Sequence, residues 1–343
     1  MHMADALLSP AVGGTMWAVS AGAIAYSSAK VRRDPDDRKV PLMGVLGAFL
    51  FAAQMINFTI PGTGSSGHLG GGLLLAILLG PSAAFLTIAS VLVVQALFFA
   101  DGGLLALGCN IFNMGFIPAF LVYPFIYKPL AGSNPGRKRL TAATMISAAV
   151  CLQLGPLSVV LETVCSGISS LPFATFILLM LPIHLAIGVV EGMVTVAVVS
   201  FVRKARPEIL QDAPEARPVG GRPVRNLALT FLIAALLVGG VVSRFASKNP
   251  DGLEWAIAGI TGSETLAGPH QGLHSALAAL QERTAFLPDY SFRPRAETKA
   301  AGGQRHDETS NIGTSVSGLV GSLLTLAVVL LSGVILSRRK PLT

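Results

Sequence analysis

Residues 70–100 read GGGLLLAILLGPSAAFLTIASVLVVQALFFA and contain no charged side chain. Pro81 breaks or kinks a helix, so the stretch divides into apolar runs at 70–80 and 82–100. As a helix that rises 1.5 Å per residue, the second run can cross a hydrocarbon core of about 30 Å, whereas the first reaches only about 16 Å. A first run that crosses must therefore start deeper or thin the membrane locally.

The composition of the whole chain points to lipid as its solvent. Only 13% of the 343 residues are charged, against about 25% in a soluble domain, and the mean hydropathy is +0.65. These values exclude a soluble globular enzyme, a disordered chain and a fibrous protein. The apolar runs are continuous rather than alternating, which disfavours an outer-membrane barrel. The sequence therefore predicts an all-α polytopic membrane protein.

Positive charges in the loops decide how the two runs cross. If 70–80 and 82–100 cross separately, all four basic clusters lie on one side of the membrane, as the positive-inside rule favours. This arrangement predicts nine spans, an extracytoplasmic N-terminus, a cytoplasmic C-terminus and extracytoplasmic loops at 58–69 and 244–314. The same clusters explain the net charge of +7 without a nucleic-acid partner. The clusters lie near 30–39, 128–139, 203–206 and 338–340, and the other apolar runs at 11–29, 41–57, 104–127, 141–162, 172–202, 225–243 and 315–336.

A stretch rich in Pro, Arg and Glu at 203–224 predicts a cytoplasmic linker between two membrane modules. Seven spans precede it within 1–202. Two spans follow within 225–343, separated by the extracytoplasmic loop 244–314. The chain is therefore predicted to consist of a seven-span bundle and a two-span C-terminal module.

The N-terminus carries the sharpest chemical signal. No Lys or Arg precedes the first apolar run and Asp5 occupies the place of a positive n-region, so Met1 is expected to begin the mature chain. Methionine aminopeptidase clips only before small residues, so His2 should leave Met1 in place. The Met1 amine, the Met1–His2 amide and the His2 imidazole can then close two fused chelate rings around one metal ion. Planar nitrogen coordination of this kind selects Ni(II) or Cu(II).

A fourth nitrogen in the plane would complete the square, and His68 can supply it. His68 follows a glycine-rich stretch at 62–67, in a loop that the topology places on the same side as the N-terminus. Glycines there allow close approach of the backbone and positive φ. We therefore predict a metal site formed by Met1, His2 and His68.

Polar residues inside apolar spans are functional candidates, although each can instead form a structural hydrogen bond between helices. His184 and Glu191 lie seven residues apart on one helix face, and Asn110 and Asn113 share another. The three cysteines show no metal-type spacing and are interpreted as small buried hydrophobic residues. The remaining polar candidates in the spans are Gln95 and Glu162.

Two catalytic motifs are missing. The sequence contains no Gly-x-x-x-x-Gly-Lys-Ser/Thr phosphate loop and no His-Glu-x-x-His zinc motif. The chain is therefore expected not to be an enzyme and not to hydrolyse ATP through a standard P-loop. Energy for uphill transport would have to come from ions or from a partner.

Four blocks of the first module resemble the NikM/CbiM group, the substrate-binding membrane components (S components) of nickel/cobalt energy-coupling-factor (ECF) ABC transporters. The resemblance covers about 1–202, and the blocks are specific jointly rather than singly. The blocks are MHMADALLSP at 1–10, SGHLGG at 66–71, QALFFADGG at 95–103 running on to Asn110 and Asn113, and HLAIGVVEG at 184–192.

The second module resembles the accessory NikN/CbiN-type subunit, which has two spans around an extracytoplasmic loop. The Pro-Asp-Gly-Leu-Glu (PDGLE) signature of that subunit stands at 250–254. The whole chain therefore resembles a fusion of the two components. Asp251 and Glu254 can serve as turn and cap residues or can contact the first module, and the sequence leaves both open.

The resemblance implies a component of the bacterial plasma (inner) membrane that binds Ni2+ or Co2+ through Met1, His2 and His68. It implies a transmembrane coupling protein (T component) and two cytoplasmic ATPase subunits as partners, and no bound cofactor. ATP hydrolysis in these partners would reorient the S component and release the metal inside. The accessory module would be needed for transport rather than for a stable bundle.

Three alternatives to nickel uptake stay open. Co2+ uptake by the same mechanism is barely separated from it by sequence. An ion-coupled secondary transporter would use His184 and Glu191 as a relay. A membrane metalloenzyme would use the loop histidines His270, His274 and His306, which lack a recognised ligand spacing and are expected to be solvated.

Overall fold

The computed structural model describes residues 2–33, 39–206, 224–269, 271–292 and 304–338, and these residues form a helical bundle. Their only strands are β1 (Phe58–Ile60) and β2 (Ser65–Gly67), which pair antiparallel with Phe58 opposite Gly67. The helices are α1 Pro10–Arg33, α2 Lys39–Gln54, α3 Gly72–Leu79, α4 Pro81–Phe99, α5 Leu107–Ala131, α6 Arg137–Ser166, α7 Phe173–Ala205, α8 Val224–Gly240, α9 Gly252–Thr261, α10 Leu273–Thr284 and α11 Gln304–Arg338.

The predicted all-α membrane architecture is confirmed. Among the described residues, six helical stretches are long and apolar enough to cross a membrane, and α2 is a shorter apolar helix. The division into seven and two spans stays a prediction. The six stretches are Pro81–Phe99, Leu107–Ala131, Arg137–Ser166, Phe173–Ala205, Arg225–Phe245 and Ile312–Leu336.

The stretch 70–100 folds as two helices that pack against each other. Gly80, with φ of 78°, and Pro81 separate α3 from α4. All residues of α3 are buried, and its eight residues reach only about 12 Å. The helix is therefore enclosed by protein.

The second module lies along α2 of the first. Helices α8 and α11 both pack on α2 and on each other. They cross closely at two glycines, since a Cβ added to Gly239 would lie 2.9 Å from the main chain of Gly318. Small residues at such a crossing allow helix backbones to approach in a membrane. Most of the predicted linker 203–224 lies outside the described residues.

The segment predicted as a polar loop at 244–314 is more structured than expected. It contains α9 and α10, and α11 begins at Gln304 rather than at the predicted 315. Helix α9 packs on α7, and α10 packs on the end of α4. These contacts place the segment on the end of the bundle where Gln54, Gln95 and residue 72 lie.

Candidate metal centre

The N-terminal segment is folded into the bundle. The Asn110 side chain holds the main chain of Met3 from both sides, accepting from its N–H at 2.8 Å and donating to its carbonyl at 3.3 Å. The Gly103 N–H also donates to that carbonyl, at 2.9 Å. The Met3 side chain is fully buried. Asn110 therefore fixes the backbone that carries His2.

Both ring nitrogens of His2 have partners. His2 Nδ1 lies 3.1 Å from Asp101 Oδ1, and His2 Nε2 lies 3.2 Å from Gln95 Oε1. The other Asp101 oxygen accepts from the Tyr290 hydroxyl of the second module. The His2 side chain is 7% exposed. The imidazole is thus enclosed between the end of α4 and the second module.

His68 lies beside His2. The two ring centroids are 5.1 Å apart and the ring planes differ by 18°. His68 Nδ1 lies 3.1 Å from the carbonyl of Leu69. The fold therefore brings together two of the predicted ligands from distant parts of the sequence. The third predicted ligand, Met1, lies outside the described residues.

A carboxylate in α7 holds the loop that carries His68. The two oxygens of Glu191 accept from the N–H groups of Gly70 and Gly71, at 2.8 and 2.9 Å. Gly71 has φ of 74°, a conformation that glycine adopts without strain. The Gln54 amide donates to the Gly70 carbonyl at 3.0 Å. Glu191 therefore forms structural hydrogen bonds that fix the backbone after His68, and its role as a relay residue stays a prediction.

The PDGLE signature both caps a helix and contacts the first module. Asp251 Oδ1 accepts from the N–H groups of Leu253 and Glu254, and Glu254 accepts from the Asp251 N–H, which forms a capping box at the start of α9. The Pro250 carbonyl accepts from the Ser66 N–H at 2.8 Å. Asp251 Oδ2 thereby lies 3.8 Å from His68 Nε2. Both interpretations left open by the sequence hold.

Burial sets the charge of the site. It lowers the pKa of His2 and of His68 to about 3, so both imidazoles are neutral at pH 7. Neutral imidazole is the form that binds metal ions. Burial also raises the pKa of Asp101 above its ordinary value. Each of the two neutral imidazoles therefore already has one unprotonated ring nitrogen that can bind a cation.

The polar residues farther along the helices have separate partners. Asn113 donates to Glu162 at 2.8 Å, and His184 Nδ1 lies 2.8 Å from the Met180 carbonyl. His184 Nε2 has no partner among the described residues. Next to His68 is a cavity of about 30 Å³ for a water-sized sphere. Its polar lining comprises His68, Asn113, Cys151, His184, Glu191 and Asp251.

Of the three loop histidines, only His274 has a described side chain. His274 was expected to be solvated, but it is buried and its Nε2 lies 2.8 Å from the Leu8 carbonyl. The expectation was wrong because α10 packs onto the bundle. His270 and the side chain of His306 lie outside the described residues. In the described part of the chain, no group of three or more His, Cys, Asp or Glu is placed to hold a metal ion.

Two of the three cysteines behave as the sequence suggested. Cys109 and Cys151 are buried, whereas Cys165 is exposed at the end of α6. The residues that sequence reasoning missed at the centre are Asp101 and Tyr290. Asp101 lies within the block 95–103, which was the one available signal for it. Tyr290 carries no such signal.

Comparison with known proteins decides the family. Residues 2–209 match the CbiM model, the cobalt uptake substrate-specific transmembrane region. The chain belongs to the CbiM family. Its residues 225–338 match the PDGLE domain, so the chain joins a CbiM region to a PDGLE region, as the sequence blocks indicated.

Curated relatives of this CbiM-family chain are named either as nickel or as cobalt transport proteins. The putative fused nickel transport protein NikMN of Archaeoglobus fulgidus is 32% identical over 95% of this chain and 96% of its own. The fused nickel transport protein NikMN of Rhodobacter capsulatus is 32% identical over 85% of this chain and 88% of its own. The cobalt transport protein CbiM of Geobacter sulfurreducens is 31% identical over 73% and 74%.

Two solved structures resemble about three fifths of the chain. A crystal structure of a truncated transition metal transporter has a TM-score of 0.53 and 31% identity, and it covers 60% of this chain and 99% of that one. A second transition metal transporter has a TM-score of 0.54 and 31% identity over 61% of this chain and 95% of its own.

Proposed function

We propose that the chain is the substrate-specific membrane component of an ATP-driven ECF importer that takes up Ni2+. The observation that carries the proposal is the juxtaposition of His2 and His68, whose nearly parallel rings lie 5.1 Å apart in a buried site. Two neutral imidazoles that the fold pays to bury need a ligand or a partner network. In a chain of this family, a transported transition-metal ion is the ligand that fits them.

The proposed donors are four nitrogens: the Met1 amine, the His2 amide, His2 Nδ1 and a His68 ring nitrogen. The first three belong to consecutive groups of the chain, so they close fused rings in one plane. A planar nitrogen set favours Ni(II) over hard cations such as Mg(II) or Ca(II). Co(II) is the second candidate, because the matching family model is described as a cobalt uptake region.

The energy source proposed is ATP hydrolysis in partners. The sequence lacks a standard P-loop, so hydrolysis would occur in two cytoplasmic ATPase subunits joined to the chain by a T component. The chain would lie in the plasma membrane with its N-terminus and the PDGLE segment on the extracytoplasmic side. The four basic clusters support this orientation. The chain itself would perform no catalysis and hold no cofactor.

The experiment is a competition between two metals. The purified chain with a free N-terminus is offered equal Ni(II) and Co(II), and metal content and optical spectrum are recorded. One nickel per chain with a diamagnetic, square-planar spectrum is expected. Preferential retention of cobalt would change the substrate, whereas a chain without bound metal would refute a metal-binding role at His2 and His68.

A further inference from the structure

A continuous chain of hydrogen bonds joins His2 to α7. His2 Nε2 lies 3.2 Å from Gln95 Oε1, and Gln95 Nε2 donates to Gln54 Oε1 at 3.0 Å. Gln54 Nε2 donates to the Gly70 carbonyl at 3.0 Å, and the Gly70 N–H donates to Glu191 at 2.8 Å. Five segments of the chain therefore meet in one network, which contacts His2 directly and holds the backbone two residues after His68.

The network is buried in apolar surroundings. Gln95 is fully buried, and Gln54 and Glu191 are 4% and 2% exposed. Buried amides without partners are costly, and here each glutamine uses both its donor and its acceptor. By contrast, Gln153 is only half-buried and its amide donates to the main-chain carbonyls of Leu152 and Leu181. Gln95 therefore differs from Gln153, because its amide bonds to two other side chains rather than to main-chain carbonyls.

The direction of the chain is imposed by the backbone. The Gly70 carbonyl can only accept, so the Gln54 amide must point its NH2 at it. Gln54 then presents its oxygen to Gln95, which must donate with its own NH2. The remaining Gln95 oxygen faces His2 Nε2, so it can accept only from a protonated Nε2, while Asp101 Oδ1 lies 3.1 Å from Nδ1 and competes for the single proton of the neutral ring. Reversal of the Gln54 amide would bring two acceptors together at Gly70, and reversal of the Gln95 amide would bring two acceptors together at Gln54.

We propose that this network positions His2 for metal binding, with Gln95 as the residue that holds the proton on Nε2. The ring nitrogen left over, Nδ1, is the one that can close a chelate ring with the amide of the same histidine. A metal-bound histidine commonly donates its other N–H to a fixed acceptor, which sets both tautomer and orientation. The inference rests on the proposed metal site at His2 and His68.

The same network sets His68. Glu191 holds the Gly70 and Gly71 N–H groups and Gln54 holds the Gly70 carbonyl, so the backbone two residues after His68 is fixed on both sides. The two imidazoles are therefore positioned by one network rather than by separate contacts. Gln95, Gln54 and Glu191 are positioning residues, since they act through the histidines.

The test compares nickel binding by full-length Gln95→Leu, Gln95→Glu and wild type. Gln95→Leu removes the acceptor for His2 and is expected to weaken binding by about 10- to 100-fold and to change the planar nickel spectrum. Gln95→Glu keeps an acceptor facing Nε2 but gives up the donor to Gln54, so its loss of affinity should be smaller than that of Gln95→Leu and its spectrum closer to that of wild type. Gln153→Leu is the matched control and should bind as wild type.

Several outcomes would overturn the inference. A Gln95→Leu chain that binds nickel with wild-type affinity and spectrum refutes it alone. Equal losses in Gln95→Leu and Gln95→Glu with an unchanged spectrum would show a merely structural role. A wild-type chain without nickel refutes the proposed function, and this inference with it. If Gln95→Leu does not fold, Gln54→Leu, which frees the Gln95 amide to turn, should show a smaller loss of the same kind.

Discussion

The two modules contribute to the centre with different chemistry. The first supplies imidazoles and the amides that orient them, whereas the second supplies a carboxylate at His68 and a hydroxyl at Asp101. Imidazole nitrogens are ligands for a transition metal, but a carboxylate 3.8 Å from a ring nitrogen touches the ligand rather than replacing it. We therefore expect changes in the first module to abolish binding and changes in the second to adjust it.

The largest effect in this comparison is expected for His68→Ala. The change removes one of the four proposed donors. Loss of a residue that only hydrogen-bonds to a metal ligand costs up to about 100-fold in affinity, so loss of a donor itself should weaken nickel binding by at least that factor. Isothermal titration of the purified chain measures it. His274→Ala, a buried histidine of the second module, is the control. Equal losses in the two variants would erase the distinction between the modules.

A smaller effect is expected at Asp251, where two variants separate its two roles. Asp251→Ala removes the cap of α9, which costs about 1 kcal/mol of stability, whereas Asp251→Asn keeps a good cap and removes the charge beside His68. Thermal unfolding should fall only for the alanine variant, and nickel affinity should change less than about tenfold in both. A loss comparable with that of His68→Ala would place Asp251 among the ligands.

The smallest effect is expected for Tyr290→Phe. The change removes the hydroxyl that donates to Asp101 but keeps the ring, which stacks on Phe99 with centroids 5.3 Å apart. Nickel affinity should shift only a few-fold, because His2 keeps Gln95 as its partner. Abolished binding in this variant would show that the second module completes the donor set.

The sequence predicted the features that depend on local chemistry. The break near Pro81 follows from the stiffness of that residue. Chelation at Met1 and His2 stays a prediction, which rests on the order of groups in one short segment. His68 could be proposed because a glycine-rich loop and the charge of the flanking loops placed it on the side of the N-terminus. Membrane architecture followed from composition alone.

The features it did not predict depend on long-range packing. Tyr290 meets Asp101 only because α10 and the turn after it pack on the end of α4. Gln54 and Gln95 are 41 residues apart, and no local pattern shows that their amides meet. His274 was misjudged for the same reason, since its partner is the carbonyl of Leu8. Periodicity reports which side of a helix is apolar, not which helices become neighbours.

The central claim is that the amine of Met1 is a ligand together with His2 and His68. The most direct test places Gly-Ser before Met1 in one chain and the same two residues after Thr343 in another, and records bound nickel and the optical spectrum. The N-terminal addition turns the amine into an amide, so it should abolish tight binding and the planar spectrum, whereas the C-terminal addition should change neither. Equal nickel content and identical spectra in the two chains would contradict the account.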